Sequence, residues 1–306
     1  MTVSRRPRGT SLPPGSADGG GVKGAATLHV SFSGGEARGY AHVGTLHAIE
    51  RLGLRIVEVS GSSIGAFVAA LVAAGYTASE ITELGTTLRR RDFLRYTWPE
   101  RRLLANLFRR RAHRRPPGWW TVAPYQRTVG RLLGHARFRD LPMPCTIQAT
   151  DLTHGRRCWF SAETTPDVEV ALAVSASAAL PTLMTPVEWD GRLFADGGAF
   201  VRLPHIPIQA DRVITSDVSS HHDAPRAIAS LSGAVAAYIQ ARERSTRPLR
   251  RVRGRPVTVL RYGPLVARLP SFRRPPPAVV RRIVADAESL AVRVLTASGS
   301  ERRPHA

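Results

Sequence analysis

The chain has 306 residues, with 44 Lys and Arg against 23 Asp and Glu, a net charge of +21. It is long enough to bury a large α/β core. No apolar run reaches the ~18 residues of a membrane span, and two cysteines, Cys145 and Cys158, are too few for a disulfide framework and read as reduced thiols. The charge favours anionic partners, either phospholipid headgroups or nucleic acid, and carries no information about fold.

Residues 1–25 are rich in Pro, Gly, Ser and Arg and read as a disordered basic leader. No apolar stretch follows Arg5-Arg6-Pro7-Arg8, so no export signal is expected, and the location expected is cytoplasmic, peripheral to a membrane. Thr27 to Phe32 reads as a strand and Ser33 to Gly39 as a Gly-rich turn. Tyr40 to Leu52 carries Val43, Leu46, Ile49 and Leu52 near helical spacing. Arg55 to Val59 is a second strand, and Ile64 to Gly75 is apolar throughout, as in a helix buried against a sheet. A helix opening at Ser79, with acidic residues in its first turn, follows.

Arg89 to Trp120 interleaves arginine clusters with Phe93, Trp98, Leu103, Leu104, Phe108, Trp119 and Trp120. Such interleaving suits a cap that inserts into an anionic lipid interface. A solvated charged face is the plainer reading, and no module for reading nucleic acid appears. Beyond it, Pro144 to Asp151 and Cys158 to Phe160 read as paired strands, Val168 to Val174 as a helix and Leu193 to Ala195 as a short strand. Arg212 to Ser216 and Val257 to Tyr262 read as strands, and Ala224 to Arg242 and Ala278 to Leu295 as helices. This alternation predicts an α/β three-layer sandwich, a central mostly parallel or mixed sheet flanked by helices, over residues 26–300 with a short tail at 301–306.

Gly61-Ser-Ser-Ile-Gly65 stands between a strand and a helix, the setting of a nucleophile elbow, with Ser63 at the apex. The helix behind it directs its positive end at that serine. Gly34-Gly35-Glu36-Ala37-Arg38-Gly39 follows a strand and opens a helix, so its N–H groups suit an anion nest. Asp196 precedes Gly197 and Gly198 at the end of a strand; alone, that tripeptide reads as a turn. Asp18 to Gly24 is also Gly-rich, but no strand precedes it.

In this order the three elements resemble the patatin-like phospholipase family. Ala41-His-Val-Gly-Thr-Leu46 and Ala173-Val-Ser-Ala-Ser177 with Pro181 add to the likeness, which covers about residues 27–220. The resemblance implies a Ser–Asp dyad, Ser63 and Asp196, and a serine esterase or phospholipase forming an acyl-enzyme. It also implies an oxyanion hole from Gly34, Gly35 and Glu36 with Arg38 nearby, supported by Gly61, Gly65, Gly197 and Gly198. Its partners would be a lipid substrate and an anionic membrane surface, with neither metal nor cofactor. Glu36 stands where the family has its third glycine, a constraint if that turn needs positive φ, and Arg202 where it often has Asn. A Ser–His–Asp triad using His205, His221 or His222 is the competing enzyme reading; His42 reads as a packing or hydrogen-bonding residue. The alternative from another class is a catalytically weak member of the fold that binds anionic lipid or nucleic acid.

Overall fold

A computed structural model of the chain describes residues 26–93, 95–96, 120–181, 183–197, 209–218, 251–252, 254–266, 269 and 275–300. The leader with its Gly-rich stretch, most of the basic aromatic segment, the helix expected at 224–242, Gly198, Arg202, His205, His221 and His222 lie outside these residues.

The first strand, β1 (Thr27–Phe32), alternates Leu28, Val30 and Phe32 with His29 and Ser31, the period-two pattern of a sheet element. A 3₁₀ turn at Glu36–Gly39 runs directly into α1 (Tyr40–Arg51). Then β2 (Arg55–Ser62) extends three residues beyond the predicted Val59, carrying Gly61 and Ser62 into the sheet. It is followed by α2 (Ile64–Ala73), buried from Gly65 onward. The next helix, α3 (Ala78–Thr87), starts earlier than predicted: its cap is Thr77, which accepts from the Glu80 N–H at 3.2 Å while Glu80 reaches back to the Thr77 N–H.

A short helical turn, α4 (Arg90–Phe93), leads to β3 (Arg95–Tyr96), which pairs antiparallel with β4 (Trp120–Thr121), so the end of the basic segment at Trp120 returns to Tyr96. Next come α5 (Ala123–Leu132), β5 (Cys145–Asp151), β6 (Arg156–Phe160), α6 (Val170–Ser177), β7 (Val187–Trp189) and β8 (Arg192–Asp196). The chain continues through β9 (Arg212–Asp217), β10 (Arg251–Val252), β11 (Arg255–Arg261), α7 (Gly263–Val266) and α8 (Pro277–Ser300).

The main sheet runs β10-β11-β9-β1-β2-β5-β8-β7, with β6 also paired to β5. Strands β11, β9, β1, β2 and β5 are parallel, and β6, β8, β7 and β10 antiparallel, so the sheet is mixed and flanked by helices as predicted. Helix α1 packs against α8 and α3, α2 lies over β1, β2 and β5, and α6 over β5 and β8. Gly44 makes the α1–α8 approach possible, because a Cβ there would stand 2.5 Å from the Ala287 Cβ. Leu28, Phe32, Ile49, Leu71 and Ile147 are fully buried, each contributing about 1.5–3 kcal/mol.

The other face of the sheet is polar and yet buried. Strand register places Ser31, Ser60, Thr146 and Thr215 side by side, with Ser62 beside Gln148, and all six are buried. At its near end Glu58 accepts the N–H groups of Gln209 and Ala210 at 2.8 and 2.9 Å, fixing the entry to β9. Burial would raise the Glu58 carboxyl, but His29 and these N–H groups hold it below its ordinary value. Cys145 and Cys158 lie on paired strands but out of register, Cys158 facing Ala149, and both are free thiols. Burial pushes Cys145 up to about 12 and raises Cys158 as well. No helix among the described residues is long and apolar enough to cross a membrane.

Candidate active site

Strand β5 assembles the candidate site. Its register pairs Ser62 with Gln148 and Asp196 with the next residue, Ala149. Strand β6 pairs with Ile147 through Asp151 and so occupies one edge of β5 along that whole length. Strands β2 and β8 must therefore share the opposite edge, arriving from opposite directions and meeting end to end. A Cβ on Gly197 would stand 2.9 Å from the Ser62 Oγ and 2.1 Å from the Gln148 carbonyl. The chain ends that carry Ser63 and Asp196 thus meet at one point, and glycine is required at 197 by crowding.

Ser63 has φ 55° and ψ −124°, a conformation that a residue with a side chain rarely adopts. Such torsions cost about 1–3 kcal/mol and persist only where the surroundings impose them. The surroundings here are the two flanking glycines. A Cβ on Gly61 would lie 2.2 Å from the Gly65 carbonyl oxygen, and one on Gly65 would lie 2.2 Å from that of Phe32. Helix α2 therefore starts hard against β1 and β2, and the chain between can turn only through a strained Ser63. As N-cap of α2, Ser63 sits at the positive end of the helix dipole.

The glycine loop faces this turn. A Cβ on Gly34 would lie 3.3 Å from the Ser63 Cβ, and one on Gly35 would lie 2.4 Å from a Val218 methyl. Glu36 is the first residue of the 3₁₀ turn, a helical position open to any L-residue. Crowding is thus severe at 35 and mild at 34, and the backbone accommodates glutamate at 36 without positive φ. Among the described residues, the N–H groups of Gly34 and Gly35 bond to no acceptor.

The loop carbonyls are held the other way. Gly35 O accepts from the Arg38 N–H at 3.0 Å and from Arg38 Nε at 3.2 Å, and Gly34 O accepts from the Ser33 hydroxyl at 3.3 Å. A trans peptide directs its N–H opposite to its C=O, so these contacts aim the Gly35 and Glu36 N–H groups away from them. Arg38 thus braces the loop.

Beneath the loop runs a buried polar chain. His42 Nε2 donates to Ser33 O at 2.9 Å, since a carbonyl can only accept, and His42 Nδ1 then accepts from the Ser216 hydroxyl at 2.7 Å. Ser216 lies 2.9 Å from Thr45 Oγ1, itself 2.8 Å from the Tyr262 hydroxyl. Burial lowers His42 to about 4, against the opposite pull of Ser33 O and Asp217, and burial raises Tyr262. His42 is therefore neutral and engaged at both nitrogens, the hydrogen-bonding residue that the sequence suggested.

Contacts that the sequence left unassigned hold the two candidate catalytic residues. The Ser63 N–H donates to Ser177 Oγ at 2.8 Å, which donates to Gln148 O at 2.6 Å. Gln148 Nε2 donates to Gly197 O at 2.6 Å, Thr150 Oγ1 to Asp196 O at 2.9 Å, and the Asp196 N–H to Ala179 O at 2.9 Å. Of the partners, only Ser177 and Gly197 lie in sequence motifs, and no periodicity reports such tertiary contacts. Asp196 is buried, and its charge adds to burial in raising the Tyr125 hydroxyl. Tyr125 packs with Phe67 and Phe93, ring centroids 5.7 and 5.3 Å away; Phe67 is one helical turn beyond Ser63.

Residues 30–207 match the family model described as Patatin-like phospholipase, more than half of the chain. The chain belongs to the patatin-like phospholipase family. Similar relatives include an uncharacterised NTE family protein of Mycobacterium tuberculosis, 33% identical over 209 residues, 67% of this chain and 53% of the relative. Lysophospholipase NTE1 of Cryptococcus neoformans is 28% identical over 195 residues, 63% of this chain and 11% of that protein. The chain thus spans about half of the mycobacterial relative and a small part of the fungal one. Among solved structures, VipD from Legionella pneumophila superposes with a TM-score of 0.51 at 16% identity, covering 88% of this chain and 67% of VipD. That likeness supports the patatin fold.

Proposed function

We propose that this patatin-like chain is a lipid acyl hydrolase, of the lysophospholipase or phospholipase A type, working through a Ser63 acyl-enzyme with Asp196 as base. The observation that carries this reading is the end-to-end meeting of β2 and β8 on β5, with a strained serine at one end and a buried aspartate at the other. A serine hydroxyl needs a base to become a nucleophile. A carboxylate shielded from water is a better base than one in solution.

Asp196 takes the Ser63 proton as Oγ attacks the ester carbonyl. The oxyanion is received by N–H groups of the Gly34–Glu36 loop at the N-terminus of α2, where donors held in place before reaction are most effective. The released alcohol leaves with the proton from Asp196. Water then gives a proton to Asp196 and attacks the acyl group; the Oγ–acyl bond breaks, Asp196 returns the proton to Ser63 Oγ, and the fatty acid leaves. The lysophospholipase name of the fungal relative agrees with this chemistry.

The basic aromatic segment is assigned to an anionic membrane surface. Its last residue, Trp120, pairs back to Tyr96, and α5, which begins at Ala123, carries Tyr125, whose hydroxyl feels the Asp196 charge. A cap rooted there would bring the lipid surface to the site. The competing view, a catalytically weak binder, drew on Glu36; its helical backbone position removes the torsional objection.

The test is fatty-acid release from lysophosphatidylcholine micelles, together with sedimentation on neutral and anionic vesicles. Wild type is expected to release fatty acid and to bind anionic vesicles in a salt-sensitive way, while Ser63→Ala binds equally and releases none. Release that persists in Ser63→Ala would contradict the catalytic reading. Equal, salt-insensitive binding to both vesicles would contradict the docking.

A further inference from the structure

Ser63 and Asp196 enter the site on different strands, and their backbones are both held by one three-residue stretch, Ser177-Ala178-Ala179. Ser177 Oγ accepts the Ser63 N–H at 2.8 Å, and Ala179 O accepts the Asp196 N–H at 2.9 Å. The Ser177 hydroxyl is fully buried and has one orientation open to it. Its oxygen is occupied by the Ser63 N–H and its proton by Gln148 O at 2.6 Å. Gln148 is also the residue against which Gly197 is packed and whose side chain bonds Gly197 O at 2.6 Å. The contacts form a closed circuit: Ser63 to Ser177, Ser177 to Gln148, Gln148 to Gly197, and the neighbouring Asp196 back to Ala179.

We propose that Ser177 is a positioning residue that, with Gln148, sets the separation and orientation of Ser63 relative to Asp196. This role rests on the catalytic reading of those two residues. Two physical consequences give it content. First, the Ser63 N–H is consumed by Ser177, so it is not an oxyanion donor, and that duty falls on the glycine loop. Second, Ser63 holds torsions unfavourable to an L-residue, and the bond to Ser177 keeps its amide in the orientation those torsions require. Removing the hydroxyl leaves the part-buried Ser63 N–H without its acceptor and frees the turn to rotate toward an ordinary conformation. Rotation of this kind misaligns the nucleophile while leaving the lipid-binding surface in place, and small misplacements of reacting atoms are costly in rate.

The experiment compares wild type with Ser177→Ala, a substitution that shortens a buried side chain by one atom. Two readouts are taken: residue-resolved amide hydrogen exchange, and the kinetics of covalent labelling by a fluorophosphonate, resolved into reversible binding and a maximal inactivation rate. In Ser177→Ala, exchange at the Ser63 amide should rise at least tenfold while amides of β1 and the middle of α2 keep their wild-type protection. The maximal inactivation rate should fall at least tenfold, with reversible binding changed less than about twofold. A variant labelled at the wild-type rate, or one whose exchange rises uniformly through the core with labelling per folded molecule retained, would overturn the positioning role alone. A wild type that is not labelled at Ser63 would overturn the catalytic reading and the role built on it; the Ser63 amide exchange distinguishes that failure, because it reports the Ser177 bond without any chemistry at the hydroxyl.

Discussion

Two neighbouring turns of this molecule do the same topological job by opposite means. Strands β1 and β2 lie side by side, with Phe32 opposite Gly61, and each ends in a turn that leads into a helix. After β1 the chain uses Gly34 and Gly35 where a side chain would meet Ser63 or Val218, and it enters the helix through an unstrained 3₁₀ turn. After β2 the glycines at 61 and 65 relieve crowding, while the strained torsions fall on a serine. A glycine would adopt those torsions more cheaply. The difference teaches that in the second turn the serine hydroxyl is kept at the expense of stability, and that strain at such a position points to function.

The largest expected break in this comparison is Gly65→Ala. Its Cβ would sit 2.2 Å from the Phe32 carbonyl oxygen and 2.6 Å from that of Ser33, both backbone atoms. A urea midpoint should report a loss of about 3 kcal/mol, at the upper end of overpacking costs. Gly34→Ala, whose Cβ meets only the Ser63 Cβ at 3.3 Å, should lose about 1 kcal/mol or less. An equal loss in both would remove the distinction between a turn built on backbone contact and one that merely faces the serine.

His42 supports only the first turn, and its titration should show in stability. Buried and neutral, it has a folded value of about 4 against an ordinary value of 6.5. The unfolded chain therefore binds the extra proton first as pH falls. The contribution is fully present above about pH 6.5 and is lost progressively down to about pH 4, amounting to about 3 kcal/mol in all. His42→Gln should flatten the stability profile in that window; an unchanged slope would mean that His42 is not the titrating group.

The strain itself is read by comparing Ser63→Gly with Ser63→Ala, both without the hydroxyl. The glycine variant should be the more stable by about 1–2 kcal/mol, relief of strain adding to the ordinary preference of an N-cap for glycine over alanine. Chemical denaturation with the alanine variant ahead would place the strain elsewhere. The smallest effect belongs to Glu36→Gly, which should cost about 0.5–1 kcal/mol because position 36 is helical and gains nothing from glycine. A stabilised variant would return the torsional objection to glutamate there.

Much of the frame was legible in the chain because its signals are local. Leu28, Val30 and Phe32 alternate through β1, α2 is apolar throughout, and Gly61 to Gly65 mark an elbow. Other features were local but weaker. The capping box Thr77 to Glu80 was readable two residues before the predicted start, and α5 carries Tyr125, Thr128 and Val129 at helical spacing just beyond the arginine-rich segment. Strand β8 looked like a short strand before a turn. That it runs antiparallel along the same edge of β5 as β2 depends on register, which no single segment encodes. Nor could alternation tell that Ser31, Ser60, Thr146 and Thr215 would be buried, since such a pattern normally marks a face open to water. Ser177 and Gln148 are ordinary residues in a helix and a strand until tertiary folding brings them to Ser63 and Gly197.

The central claim is that the strained serine at the end of β2 is activated by the aspartate at the end of β8. It is tested most directly by fluorophosphonate labelling followed by peptide mass mapping of wild type, Ser63→Ala and Asp196→Asn. The account predicts one adduct, on Ser63, in the wild type, none in Ser63→Ala, and labelling at least a hundredfold slower in Asp196→Asn. An adduct that survives Ser63→Ala, or wild-type labelling in Asp196→Asn, would contradict it.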